Sequence, residues 1–198
     1  MEERKREAKP AAPRGRDLYE WIGALVCVVL AAVAIFTFAV RLVLVDGGSM
    51  RETLQHGDCL LTVSRLLCGD PAAGDIVILR RESFRDGEPI VKRVIAVEGQ
   101  TVDIDFDAGV VYVDGAALEE DYIRQPTYLE EGLDFPVTVP EGCVFVLGDN
   151  RNDSDDSRDP DLGPVDVREI LGQAVLLLFP GVTESTGARD YGRIGPLA

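Results

Sequence analysis

One lysine stands out among the basic residues that follow residues 1–17. From there to the C-terminus the sequence holds thirteen arginines but a single lysine, Lys92. Arginine stays protonated in proteins, whereas a lysine becomes a base once desolvation lowers its pKa. Strand alternation in I-V-K-R-V-I-A-V places Lys92 on the face of Ile90, Val94 and Ala96. We therefore expect its pKa to fall toward neutrality, although a lysine reaching water from a half-exposed strand is the competing interpretation.

Ser49 is the candidate nucleophile, within the sequence D-G-G-S-M-R-E-T-L. Gly47 and Gly48 allow a tight turn that presents the serine hydroxyl and its N–H together. Acyl transfer needs these two groups, one as the nucleophile and one as an oxyanion donor. The sequence is not the G-x-S-x-G elbow, because Arg51 replaces the second glycine. A lone Gly-Gly-Ser is as often a plain turn, so the pairing with Lys92 carries the interpretation.

A polar segment, G-D-N-R-N-D-S-D-D-S-R, occupies residues 148–158. Its alternating acidic residues resemble a calcium loop, but the sixth and twelfth positions are Ser154 and Pro160 instead of glycine and glutamate. Arg151 also stands where a ligand is needed. We expect no metal and no organic cofactor. The segment is better interpreted as a support that orients the lysine amine through hydroxyls and is locked by Asp–Arg pairs.

The histidine and the cysteines offer weaker candidates. His56, the single histidine, follows Ser49 in a Gln-His-Gly-Asp turn, and we expect it to be solvated and not part of a Ser-His-Asp triad. The cysteines lack the spacing of a zinc site. They are Cys27, Cys59, Cys68 and Cys143. A disulfide between Cys59 and Cys68 is conceivable, but buried free thiols are the preferred expectation.

An uncharged run of twenty residues extends from Trp21 to Val40. As a helix it would span about 30 Å, the thickness of a bilayer's hydrocarbon core. A cleaved signal peptide is the alternative, but its apolar core would be shorter and would end at a small-x-small site. Basic residues are concentrated before the run. We therefore predict a cytoplasmic basic tail over residues 1–18 and a transmembrane helix over 19–41, with the rest of the chain outside the cytoplasmic membrane.

The charge distribution argues against nucleic-acid binding. The formal net charge is −15, and residues 1–17 contribute six basic and four acidic side chains. The remainder then carries 14 basic and 31 acidic residues, a charge near −17. Phosphate backbones would be repelled by such a body.

After the apolar run, short β-rich segments alternate with turn signals. We predict strands at 59–64, 76–79, 90–97, 101–105, 110–113, 137–139, 143–147 and 170–178. Breakers such as Asp114-Gly115 and Glu141-Gly142 separate them. This spacing predicts a mainly β fold, with antiparallel sheets forming an open barrel or sandwich over residues 42–180. Residues 181–198, rich in glycine, are expected to be a loose tail.

Taken together, these segments resemble bacterial type I signal peptidase, the leader peptidase family with a Ser/Lys dyad. The family pattern S-M-x-P-T-L matches residues 49–54 except at Glu52, and G-D-x-V matches 74–77. The K-R-V/I strand matches 92–94, and G-D-N-R-D-N-S-x-D-S-R matches 148–158 with Asn and Asp exchanged at 152 and 153. The family's V-Y-V-N-G hairpin is similar to 111–115.

The resemblance implies roles by position. Ser49 would be the nucleophile, with its backbone N–H in the oxyanion hole, and Lys92 the general base. Ser154 would orient the lysine amine, and Asp156 and Arg158 would support the loop, with Arg93 beside the base. Gly47, Gly48 and Met50 would border the bound substrate. Some relatives have a serine at the position of Gly47, so this chain would rely more on backbone donors.

The resemblance also implies substrates and membrane contact. Exported preproteins with small residues at the first and third positions before the cut are the expected partners, together with the lipid bilayer. Only eight residues separate Val40 from Ser49, so the nucleophile is expected close to the membrane surface. Two alternatives remain: an inactive membrane-tethered binding domain, and a self-cleaving Ser/Lys sensor.

Overall fold

The computed structural model describes residues 14–183 and 186–197, and the chain divides into two compact units between Phe38 and Ala39. The first unit contains helix α1, Arg14–Ala34, and most of the π-helical turn that continues it, Ile35–Ala39. The segment Leu18–Ala39 is long and apolar enough to cross a membrane and overlaps the predicted span 19–41. Helical geometry ends at Ala39, so the last two residues of that span begin a strand.

The second unit is built from short strands. Within the described residues these are β1 Val40–Leu44, β2 Cys59–Ser64, β3 Ile76–Leu79, β4 Ile90–Val97, β5 Thr101–Asp105, β6 Val110–Val113, β7 Ala116–Ala117, β8 Val137–Thr138, β9 Cys143–Leu147, β10 Val165–Asp166, β11 Ile170–Phe179 and β12 Gly195–Pro196. Short helical segments interrupt them. They are α2 Arg65–Cys68 and the 3-10 turns Arg85–Gly87, Val167–Glu169 and Tyr191–Arg193.

The strands form two antiparallel sheets. The larger has the order β1-β2-β11-β3-β4-β9-β10, with β12 paired to β11, and the smaller has the order β7-β6-β5-β8. This arrangement confirms the mainly β, antiparallel fold class. Strand β4, which carries Lys92, lies between β3 and β9, so its residues have a hydrogen-bonded neighbour on each side.

Three buried apolar clusters hold these sheets. One joins β4 and β9 of the larger sheet to β5 and β6 of the smaller, which fixes the two sheets against each other. A second lies along β3, β4 and β9 on the other face. In the third, Met50 and Leu54 of the loop after β1 pack against Ile76 and Ile78 of β3. Through that packing the segment that contains Ser49 runs from the edge of the sheet toward its centre.

A register shift in β4 corrects one expectation. Between Val94 and Ala96 the pairing with β9 shifts by one residue. Val94 therefore packs in one cluster, whereas Ile95 and Ala96 both pack in the cluster between the sheets. Simple alternation had placed Ala96 on the face of Lys92, and the bulge moves it to the opposite face.

The C-terminal segment is held against the fold where a loose tail was expected. Strand β12 pairs with β11, and Leu197 packs against a buried cluster. The Arg193 guanidinium donates to both carboxylate oxygens of Asp58, at 3.1 and 2.7 Å, and to the Thr53 carbonyl. The Arg193 contacts join residues more than a hundred positions apart, and composition alone does not indicate such contacts.

The cysteines are free thiols. Cys27 is exposed on α1, and Cys59, Cys68 and Cys143 are half-buried. Free thiols were the preferred expectation, but none of the four is fully buried.

Candidate active site

The register of β3 and β4 places Lys92 directly opposite Val77, and both side chains are fully buried. Burial lowers the pKa of Lys92 from its ordinary value near 10.5 to about 8. The Asp156 carboxylate opposes this effect, and the Arg85 guanidinium adds to the lowering. The amine is thus neutral in a large fraction of molecules at mildly alkaline pH, as a general base requires.

A continuous chain of hydrogen bonds begins at the lysine amine. Lys92 Nζ donates to Ser154 Oγ at 3.1 Å, and Ser154 Oγ donates to Asp156 Oδ2 at 2.8 Å. Arg158 donates to both oxygens of Asp156, at 2.8 Å from Nε and 2.9 Å from Nη2. The Gly148 N–H also donates to Asp156 Oδ2 at 2.9 Å. All these side chains are buried, so water does not compete for the hydrogen bonds that orient Ser154.

Ser49 is half-buried at a turn whose shape requires glycine at position 47. The φ angle of Gly47 is +97°, which L side chains rarely adopt. Asn150 then holds the backbone of the turn from the other side of the site. Its N–H donates to the Ser49 carbonyl at 2.9 Å, and its Nδ2 donates to the Gly48 carbonyl at 3.0 Å. The Ser49 turn and the 148–158 loop are therefore joined by two hydrogen bonds.

Gly148 lies where the two serines approach each other. A Cβ atom at this position would lie 2.5 Å from the Ser49 carbonyl oxygen and in direct collision with Ser154 Oγ. The absence of a side chain therefore lets Ser49 and Ser154 lie on either side of one backbone residue.

Arg93, the neighbour of Lys92, holds a different part of the site. It donates to both oxygens of Asp149 at 2.9 Å and to the Gly74 carbonyl at 2.9 Å. Its guanidinium also stacks 4.1 Å from the centre of the Tyr122 ring. Thr53 Oγ1 donates to the same Asp149 carboxylate. This buried pair therefore joins β4 to the start of the 148–158 loop and to the residues after Ser49.

Two cavities flank Ser49, and we name them by their linings. The first, about 390 Å³, is called the apolar cavity for its aliphatic wall, although charged side chains also line it. Its residues are Val43, Leu44, Val45, Asp46, Gly47, Ser49, Met50, Ile78, Arg85, Glu88, Pro89, Ile90 and Val91. The acidic cavity, about 320 Å³, is lined by Asp46, Gly47, Gly48, Ser49, Arg85, Leu129, Glu131, Asn152, Asp153, Ser154 and Asp155. A larger cavity, about 540 Å³, lies along Arg80–Ser83 and Arg168–Leu171 and contains none of the candidate residues.

Glu131 is a titratable group on the wall of the acidic cavity. Its side chain is 11% exposed, and Oε1 lies 2.8 Å from Arg158 Nη2. The contact is an ion pair without hydrogen-bond geometry, so Oε1 is a buried oxygen that lacks a hydrogen-bond partner. Burial raises the pKa of Glu131 to about 7, with the Asp156 carboxylate adding to the rise and Arg158 opposing it.

Histidine and metal chemistry find no support among the described residues. The His56 side chain is 66% exposed, and Nδ1 accepts the Gly47 N–H at 3.3 Å and lies 3.2 Å from Asp46 Oδ1. This geometry agrees with a solvated turn residue. Within residues 14–183 and 186–197, no group of three or more His, Cys, Asp and Glu side chains could hold a metal ion.

The structure thus brings most of the predicted site residues together. Lys92, Ser154, Asp156 and Arg158 form one hydrogen-bonded chain, and Ser49 shares a cavity with Ser154. Sequence reasoning assigned no role to Gly148, Asp149 or Asn150, although all three lie in the polar segment that it singled out. Arg85 and Glu131 carried no sequence signal, because their place in the site depends on loops that fold back from distant positions.

Comparison with known proteins gives a consistent picture. The family model described as "Signal peptidase, peptidase S26" matches residues 18–179. Signal peptidase I of Bacillus licheniformis is 35% identical over 83% of this chain and 90% of its own length. Signal peptidase I T of Bacillus subtilis is 36% identical over 90% of this chain and 95% of its own. A crystal structure of a signal peptidase I from Enterococcus faecalis is 34% identical, with a TM-score of 0.43 over 53% of this chain and 97% of that one.

The extent of these matches decides the family. The family model spans most of the chain, and both Bacillus proteins exceed 30% identity over most of it. The apolar helix near the N-terminus is consistent with membrane anchoring. The chain therefore belongs to the S26 signal peptidase family, as a membrane-anchored serine peptidase whose substrates are preproteins with signal peptides.

Proposed function

We propose that the chain cleaves signal peptides through a Ser49/Lys92 dyad and an acyl-enzyme on Ser49. The observation that carries the proposal is the complete burial of Lys92, with its amine bonded to a serine that shares a cavity with Ser49. A buried lysine with a pKa of about 8 is adapted to accept a proton, whereas a structural cation would be better supplied by arginine.

In the first half of the reaction, neutral Lys92 takes the hydroxyl proton as Ser49 Oγ bonds to the scissile carbonyl carbon. The Ser49 N–H is proposed to stabilise the oxyanion, since the Gly47 N–H is already engaged by His56. Protonated Lys92 then gives its proton to the leaving amine as the peptide C–N bond breaks. The signal peptide is left as an ester on Ser49.

In the second half, Lys92 removes a proton from a water molecule that attacks the ester. Collapse of the second tetrahedral intermediate returns the proton to Ser49 Oγ and releases the signal peptide with a free carboxylate. Ser154, Asp156 and Arg158 act in both halves by holding the amine in one position. None of these steps requires a metal or an organic cofactor.

The proposed substrates carry small residues at the first and third positions before the cut. In support, buried Met50 and Ile78 line the apolar cavity beside Ser49, where the side chains before the cut would bind. Gly47 and Gly48 border both the nucleophile and the acidic cavity, where they would let the backbone of an extended peptide approach.

We further propose that the N-terminus lies in the cytoplasm and the catalytic unit outside the cytoplasmic membrane. The basic residues before the apolar segment support this orientation through the positive-inside rule. Labelling of single cysteines introduced before and after the segment, in intact cells and in lysed cells, would test it. Labelling of the site after the segment only upon lysis would reverse the proposed orientation.

The dyad itself is tested by cleavage of a model preprotein. Wild type, Ser49→Ala and Lys92→Ala are compared, with Ser83→Ala as the matched control because Ser83 is exposed and lines neither cavity beside Ser49. We expect a loss of at least about 10³-fold in kcat for each dyad variant. Near-normal turnover by either one would refute the assignment and favour a binding function.

A further inference from the structure

We propose that the acidic cavity binds the residues that follow the scissile bond and selects against acidic side chains there. The inference rests on the proposed function and adds a charge preference for the first residues of the mature protein. Asp153 is its principal determinant.

The position of the lysine amine decides the side. Lys92 must give a proton to the leaving amine, so that amine departs next to Lys92 Nζ. Lys92 Nζ is bonded to Ser154, which lines the acidic cavity and is absent from the lining of the apolar one. The small residues before the cut fit the apolar cavity on the other side of Ser49. The residues after the cut therefore enter the acidic cavity.

Carboxylates dominate the lining of that cavity. Asp46, Glu131, Asp153 and Asp155 line it together with one guanidinium, that of Arg85, whose Nε lies 3.6 Å from Asp155 Oδ2. Arg158, which is not part of the lining, lies 2.8 Å from Glu131. Dyad chemistry needs neutral Lys92, and at the alkaline pH where this form is abundant Glu131, with its pKa of about 7, is ionised. The buried Glu131 Oε1 also lacks a hydrogen-bond partner. The cavity thus favours cationic or hydrogen-bond-donating groups and repels carboxylates.

The family motif has aspartate and then asparagine at positions 152 and 153, whereas this chain has the reverse order. The reversal places a carboxylate at 153, in the lining of the acidic cavity. Asn152 Oδ1 accepts the backbone N–H groups of Tyr128 and Leu129, and its Nδ2 donates to the Pro126 carbonyl. A carboxylate could not make the last of these bonds, so the amide at 152 is needed to hold that segment. Asp153 is exposed, and the motif of the family has asparagine at this position. Its Oδ2 accepts a hydrogen bond from Asn150 Nδ2 at 3.2 Å, and because this amide is uncharged, the carboxylate keeps its negative charge at the cavity wall.

The experiment uses the full-length protein in detergent and three peptides with one sequence before the cut. The peptides differ in the first two residues after it, which are lysine, serine or glutamate. We expect kcat/KM for the lysine peptide to exceed that for the glutamate peptide about tenfold at low ionic strength, and about twofold in 0.5 M salt. A wild-type ratio below twofold at low salt would overturn the proposal without any variant.

Substitutions in the acidic cavity then show which carboxylates cause the charge preference. Asp153→Asn should reduce the lysine-to-glutamate ratio about threefold, and the Asp153→Asn/Asp155→Asn pair should reduce it further, whereas Asp153→Glu should retain it. Asp107→Asn removes an exposed charge in the turn between β5 and β6, outside both cavities, and should keep the wild-type ratio. An unchanged ratio in the double variant would overturn the role of these residues.

Failure of the charge preference is distinguishable from failure of the dyad. If wild type cleaves all three peptides equally and Ser49→Ala cleaves none, the charge selection is wrong and the dyad stands. If Ser49→Ala cleaves them as wild type does, the dyad is wrong, and the proposal on the acidic cavity falls with it.

Discussion

Lys92 Nζ lies 3.1 Å from Ser154 Oγ and donates a hydrogen bond to it, across 62 positions of sequence. Ser154 Oγ donates its own hydrogen bond to Asp156 Oδ2, so its lone pairs face the amine. A neutral amine that donates one N–H to Ser154 has its lone pair directed elsewhere. This arrangement orients the amine, whereas burial only lowers its pKa.

The first prediction concerns pH. Because the pKa of Lys92 is lowered to about 8, the neutral base is lost as pH falls below that value. We expect kcat/KM to decrease about tenfold per pH unit below pH 7 and to level off above pH 9. A stopped assay with one peptide from pH 5 to 10 measures the profile. A constant kcat/KM from pH 5 to 8 would exclude a titrating lysine base.

The second prediction separates orientation from binding. Ser154→Ala removes the acceptor of the Lys92 amine without touching Ser49. We expect kcat to fall about 10- to 100-fold with KM little changed, since a hydrogen bond to a reacting group is lost. The pH profile should move as well, because the amine loses its fixed partner.

Ser157→Ala is the matched control for Ser154→Ala. Ser157 Oγ accepts the Val146 N–H inside the same loop, so its loss should lower the free energy of unfolding. The apparent pKa of catalysis should remain at its wild-type value. If both variants shifted the profile equally, loop stability and not lysine orientation would be the cause.

How far the sequence predicts this molecule depends on the range of the interaction. Strands such as Cys59–Ser64 and Cys143–Leu147 follow from local alternation and turn residues, and they occur where predicted. Strand Val40–Leu44 was missed because its apolar residues continue those of the preceding helix, so the local pattern gives no boundary. The two-residue strands Ala116–Ala117, Val165–Asp166 and Gly195–Pro196 were also missed, because they are too short to show a periodic pattern.

The site shows the same limit. Lys92 is conspicuous because arginine replaces lysine everywhere else after residue 17, a signal of composition. Ala96 lies on the opposite face of β4 from the one predicted, because a bulge shifts the register between Val94 and Ala96. The residue types at these positions give no sign of the bulge. The partnership of Arg93 with Asp149 spans 56 positions. Such a pair forms because the order of strands in the sheet places β4 beside β9, and the sequence does not predict that order.

The third prediction tests the close approach at Gly148. In Gly148→Ala the new methyl group would collide with Ser154 Oγ and the Ser49 carbonyl, so the two serines must separate. We expect kcat/KM to fall at least about 100-fold, since small displacements of reacting groups have effects of this size. Gly195→Ala is the control, because its added Cβ meets no atom within 4 Å. Wild-type activity of Gly148→Ala would contradict the arrangement.

The fourth prediction contrasts a buried ion pair with an exposed one. Arg93→Met leaves the Asp149 carboxylate buried and without its cation, which should reduce the free energy of unfolding by about 3–5 kcal/mol. Arg168→Ala breaks the exposed pair with Asp166 and should leave that free energy within experimental error. Urea unfolding of both variants measures the difference. Equal effects would show that Arg93 is not the structural cation we describe.

The last prediction concerns the stability that the protein loses by burying its base. The pKa of Lys92 is near 10.5 when unfolded and about 8 when folded, so folding releases protons between these values. Stability therefore rises with pH across that window, and below pH 8 a penalty of about 3 kcal/mol is fully present. Lys92→Met removes the titrating group and keeps an apolar chain of similar length. We expect this inactive variant to be more stable than wild type at pH 7, with the advantage disappearing toward pH 10.5. Urea unfolding at pH 6, 7, 8 and 9 measures the trend, and a variant less stable than wild type at every pH would show that the amine is not desolvated.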